Sequence, residues 1–132
     1  MKTKPMLESN DAGAILDACR AAATAAGLSV SIAVVDDGGY ALRLERMDGA
    51  GLMTPAVASA KARTAALMRA PSKVLADRVR NEPEILRLTE YLPMPGGLPI
   101  LVQGHCAGGV GISGGRPEQD EEIARAGLAA LG

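Results

Sequence analysis

Apolar residues recur at three- and four-residue intervals through Ile15, Leu16, Cys19, Ala22, Ala23 and Ala26. This spacing predicts a first helix, capped by Ser9, Asn10 or Asp11 and stopped at Gly27. The period then drops to two. Leu28 to Val35 is rich in β-branched residues, with Val30, Ile32 and Val34 on one face, and reads as a strand. Asp37-Gly38-Gly39 supplies a hairpin turn, and Tyr40 to Arg46 returns as a half-exposed strand. Thr54-Pro55 starts a second helix running to about Arg69; after the break at Pro71-Ser72, Lys73 to Val79 forms a short third. Pro83 closes it, and Glu84 to Tyr91 adds a helical turn or two. Leu92 to Gly97 is too rich in proline and glycine for a regular central element. Leu98 to Val102 and Cys106 to Ser113 read as strands joined at Gly104-His105, and Pro117 opens a last helix with an acidic first turn. Hairpins make antiparallel pairs, so the order predicts an α+β fold, one domain over residues 1–132 with helices covering a single sheet.

Composition sharpens this picture. The chain has two aromatic residues, Tyr40 and Tyr91, and 16 glycines, so helices and sheet must approach closely over small side chains. The same shortage removes the stacking platform of single-strand nucleic-acid binders, and a formal charge of −1 leaves no basic stripe for phosphates. No stretch approaches the ~20 apolar residues that cross a bilayer. The start, MKTKPMLESND, has no apolar run behind its lysines, and Cys19 and Cys106 form no CxxC pair, so a cytoplasmic location is expected.

Candidate chemistry is sparse. Gly109-Val110-Gly111-Ile112-Ser113-Gly114 matches GxGxxG, but the strand and acidic residue a dinucleotide fold needs downstream are missing. Those small residues instead suit close approach of another backbone or a flat ligand. Val57, Lys61, Thr64 and Met68 share one helical stripe, which turns Lys61 and Thr64 toward the sheet if Val57 and Met68 face it. An inward lysine needs a partner. The alternative is a lysine that snorkels from the edge, or a stripe rotated so that Ala56, Ala60 and Leu67 face inward. Asp120 shares a face with Ile123, Ala124 and Gly127, so it either complements the helix dipole or pairs with Lys61 or Arg46. Asp36 suits a turn-stabilising role, whereas the Arg46 guanidinium suits a carboxylate. His105, the lone histidine, is a candidate iron ligand or an ordinary exposed turn residue; the ligands for a closed zinc site are missing.

Several stretches in order resemble the GlcG/HbpS-like family, which includes haem-binding proteins and the C-terminal domain of PduO-type proteins. They are 30–39, Arg46-Met47-Asp48-Gly49-Ala50, Lys61-Ala62-Arg63-Thr64-Ala65, 96–100, 108–115, Gln119-Asp120-Glu121 and Ala124-Arg125-Ala126-Gly127. The resemblance implies a profilin-like α/β/α fold with an antiparallel sheet of about five strands, and a homo-oligomer from dimer to octamer. It also implies haem binding in some members, with Thr64 near the haem and Arg46, Lys61 and Asp120 at the family's polar positions. The expected function is binding of haem or a similar anionic small molecule by Arg46, Lys61, Thr64, Asp120 and the glycines Gly97, Gly109 and Gly111. The alternative is a small catabolic enzyme acting on a carboxylate intermediate. There Lys61 serves as base or electrostatic catalyst, Asp120 as its acid–base partner and Arg46 as the carboxylate clamp.

Overall fold

A computed structural model describes residues 1–88 and 90–131. Helix α1 (Ser9–Ala25) leads into a hairpin of β1 (Ser31–Asp36) and β2 (Ala41–Arg46). Helices α2 (Thr54–Met68) and α3 (Ser72–Val79) follow, then a 3-10 turn over Pro83–Arg87. A second hairpin, β3 (Gly97–Val102) and β4 (His105–Ser113), precedes α4 (Pro117–Leu128) and a terminal 3-10 turn, Ala129–Leu131. The four strands form one antiparallel sheet in the order β2-β1-β4-β3.

The elements follow the local signals, with corrections at their ends. α1 is capped by Glu8, whose backbone N–H donates to the Asp11 carboxylate at 2.8 Å, so Asp11 is the third helical residue rather than the cap. The β3–β4 turn is Gln103-Gly104, with φ of 52° and 79°, and His105 already belongs to β4. This pair of positive φ values matches the tight hairpin turn whose twist suits its strands. Asp36 stabilises the other turn: its carboxylate accepts from the Gly38 and Tyr40 N–H groups, each at 2.9 Å. The sheet has four strands among the described residues rather than the five that the resemblance implies, and 91–94 carries no strand pairing, because hydroxyl groups from other elements take up its backbone. Residue 89, within the helical turns expected over Glu84–Tyr91, lies outside the described residues.

The two sheet faces differ in kind. Ile32, Val34, Ile100, Val110 and Ile112 point toward α1 and α4, where Ile15, Cys19, Ala23 and Ile123 complete the larger core. Cys19 is sealed there, and burial pushes its thiol up to about 12, which removes it as a nucleophile at neutral pH. The opposite face presents Ala33 and Val35 to Ala58, Ala62 and Ala66 of α2. This second core is made almost wholly of small side chains, so α2 lies directly on the strand backbones.

Candidate functional site

Gly97, Gly109 and Gly111 are where α2 touches the sheet. A methyl group on Gly97 would overlap the carbonyl oxygen of Lys61; one on Gly109 that of Ala62; one on Gly111 that of Ala58. The flat body lying against these glycines is therefore the helix backbone, and no space along them is open to a ligand in the protomer. This decides between the two readings of the glycine-rich stretch.

The α2 stripe is oriented by the same contact. Ala58, Ala62, Ala65 and Ala66 are buried, and Lys61 and Thr64 are carried inward with them, each 1% exposed. Lys61 Nζ donates to Asp120 Oδ2 at 2.8 Å, and the pair is sealed, its side chains 1% and 2% exposed. The other carboxylate oxygen accepts from the Gly115 N–H at 2.8 Å. Burial pushes the Asp120 carboxyl above its ordinary value, and the hydrogen bond and charge of Lys61, with backbone N–H groups of Gly115 and Gly114, pull it part of the way back. Gly96 closes the site from above at φ 125°, in a place where a Cβ would lie 2.8 Å from Lys61 Nζ.

Thr64 is committed to the fold. Its hydroxyl donates to the Ala60 carbonyl at 2.7 Å and accepts from the Leu92 N–H at 2.9 Å. Ser72, which by sequence only marks a helix break, does parallel work: its Oγ donates to the Met94 carbonyl at 2.6 Å and accepts from the Gly97 N–H at 2.9 Å. The signal for it was the Pro-Ser pair at a helix start. Thr64 and Ser72 thus pin the segment 91–97 across α2, over the Lys61–Asp120 pair. Thr64→Val is expected to lower stability by about 1–3 kcal/mol in urea denaturation, because it keeps the shape but leaves the Leu92 N–H without its acceptor. An unchanged midpoint would mean that water replaces the hydroxyl.

Arg46 and His105 are not brought to this pair. Arg46 ends the edge strand β2, on the sheet edge opposite β3; it is exposed and has no hydrogen bond or ion pair among the described residues. His105 is exposed at the far end of the β3–β4 hairpin. Arg46 is level with Ser31 and Ser113, so eight residue steps of β4, about 26 Å at ~3.3 Å per residue, separate the two levels. No cluster of three or more His, Cys, Asp or Glu suited to a metal ion occurs among the described residues. No helix in them is long and apolar enough to cross a membrane.

Layer order, antiparallel sheet and closely seated helix define a profilin-like α/β/α domain. The chain belongs to the HbpS-like family: the family model described as "Haem degrading protein HbpS-like" matches residues 7–129. Protein GlcG of Escherichia coli (strain K12) is 40% identical over 114 residues, covering 86% of this chain and 85% of that protein. The crystal structure of HbpS superposes with a TM-score of 0.94 at 35% identity, covering 100% of this chain and 94% of the other. A PduOC:heme complex gives 0.88 at 30% identity, covering 96% and 95%.

Proposed function

We propose that the protein binds haem or a similar planar, anionic small molecule, and that it does so on its surface. The observation that carries this reading is likeness along nearly the whole chain to a PduOC domain solved with heme, at a TM-score of 0.88, alongside the match to HbpS. The glycine face is filled by α2, and Lys61, Thr64 and Asp120 already hold one another or the segment above them. The exposed residues suit such a ligand better. Arg46 offers an unpaired guanidinium that holds a carboxylate through two parallel N–H groups. His105 offers an imidazole as an iron ligand. A bound haem supplies a redox-active iron; this chain's part is to hold and orient it. Because the two residues stand at opposite ends of the sheet, one ligand on one protomer engages one of them.

Titration of the purified protein with hemin, followed by absorbance, tests this. Saturable binding with a distinct Soret shift is expected. His105→Ala should move the band if histidine is the ligand, and Arg46→Ala should weaken binding by about tenfold, the equivalent of ~1.4 kcal/mol, if it holds a carboxylate. Unsaturable binding with no spectral change, alike in all three proteins, sinks the proposal. The enzymatic reading draws on one observation, the buried Lys61 ammonium against an Asp120 carboxyl of raised proton affinity. It needs the segment 91–97 to move aside for substrate. Turnover of a 2-oxo or hydroxy acid that disappears in a folded Lys61→Met variant would support it.

A further inference from the structure

We propose that the groove between α1 and β2 binds a short zwitterion, holding its carboxylate on the Arg43 guanidinium and its ammonium against the Asp17 and Glu45 carboxylates. This inference does not depend on haem. Arg46 stands opposite Ser31, which meets Thr54 of α2, so it belongs to the other face of the strand.

Strand register places the charges of the groove. Arg43 stands opposite Val34 and Glu45 opposite Ile32, two residues of the core beneath α1. Residues directly opposite share a face, so both charged side chains turn toward α1. β2 is the outermost strand, and beside it a cavity of about 460 Å³ lies open between strand and helix. Small-molecule sites span roughly 300–1,000 Å³.

The cationic end is built on a glycine. Gly13 lies inside α1, where glycine is a poor helix former. The three atoms nearest to a Cβ at this position all belong to the Arg43 guanidinium, the closest at 3.2 Å. The bare helix backbone is thus a flat seat for that group. One hydrogen bond holds it there, from Arg43 Nε to Ser9 Oγ at 3.2 Å. Nη1 and Nη2 have no hydrogen bond or ion pair among the described residues, and their planar fork suits a carboxylate.

The anionic end lies one turn further along α1, about 6 Å at ~1.5 Å per residue, at Asp17. Arg20 binds Asp17 through Nη1 at 3.2 Å and grips Glu45 through Nε and Nη2 at 2.7 and 2.6 Å. Two carboxylates against one guanidinium leave this end with a net negative charge. The hydrogen bonds from Arg20 also hold the Glu45 carboxyl below its ordinary value, so it stays ionised. Each carboxylate keeps lone pairs for a further donor. Ala14 and Leu16 line the groove as well and give it an apolar floor. A cation at one end, a net anion at the other and hydrocarbon along the floor suit a linear amino acid with several methylene groups between its charges. An α-amino acid, whose charged groups share one carbon, is too short to reach both ends.

The test is titration of isotope-labelled protein with 5-aminovalerate, followed by the amide resonances of α1 and β2. Saturable shifts at Gly13 and Asp17 are expected. Pentanoate, which lacks the ammonium, and pentylamine, which lacks the carboxylate, should each bind at least about tenfold more weakly. Arg43→Met, with an unchanged circular dichroism spectrum, should weaken 5-aminovalerate binding by about tenfold or more. Gly13→Ala should raise the urea midpoint and yet weaken binding, because the new methyl group pushes the guanidinium off its seat. A purely structural glycine would not separate these two effects. Absence of saturable shifts overturns the proposal, as does pentanoate or pentylamine binding as tightly as the zwitterion, or undiminished binding to folded Arg43→Met. If Arg43→Met fails to fold, Gly13→Ala decides.

Discussion

Gly111→Ala is expected to remove at least about 3 kcal/mol of stability, a large share of the ~5–15 kcal/mol that holds a typical domain folded. The added methyl group would overlap the Ala58 carbonyl oxygen and lie 2.5 Å from the Ala62 backbone nitrogen. Both atoms belong to the α2 backbone, which has no rotamer to change, so the helix must lift off β4. That separates Ala58, Ala62 and Ala66 from Ala33 and Val35 and loosens the whole second core. Urea denaturation measures the effect as a lower midpoint. Gly13→Ala is the control. There the new methyl meets only the Arg43 guanidinium at 3.2 Å, which swings aside, and the gain in helix propensity is expected to stabilise by up to ~1 kcal/mol. Equal midpoints for Gly111→Ala and wild type would show that α2 does not rest on the strand backbone.

Lys61→Met is expected to cost about 3–5 kcal/mol at pH 8, because the Asp120 carboxylate stays buried without its cation. The sign of the pH dependence follows from proton affinity. Burial raises the Asp120 carboxyl above its ordinary value of 3.8, so above that value the native state keeps a proton that the unfolded chain releases. The contribution of this linkage is fully present below 3.8 and is lost as pH rises through the native value. Removing Lys61 removes groups that pull that value down, so the sensitive window extends upward. The variant should accordingly lose less stability at pH 5, where Asp120 is closer to neutral, than at pH 8. Lys61→Met combined with Asp120→Leu should recover most of the loss, since apolar replacements of a buried pair are often neutral or stabilising. A pH-independent penalty, or a double variant no better than the single one, would mean that the carboxylate finds other solvation.

The local elements were legible because each is set by short-range chemistry. β-branched alternation makes β1, Thr54-Pro55 starts α2, and the turn beside Asp36 is closed by its own side chain. Cap and turn positions slipped by a residue: at Glu8 the backbone N–H is held by Asp11, three positions on, and at Gln103 the turn rests on a positive φ in a residue whose type does not announce it. The role of Ser72 is not legible locally, because its acceptor and donor partners are 22 and 25 residues away. Periodicity left the inward turn of Lys61 open, and the buried face that decided it is centred on Ala58, Ala62, Ala65 and Ala66, with Val57 and Met68 only half-buried, so the alanines seated on β4 carried Lys61 inward.

Amino-acid order alone thus dictated the helices, the two hairpins and the concentration of small residues between α2 and the strands, since these depend on spacings of a few positions. Long-range packing settled which body occupies the glycine face, that Lys61 meets a carboxylate 59 positions away, and that Arg46 stands on the opposite edge. A strand's place within a sheet depends on backbone pairing with distant segments, and no local period records it.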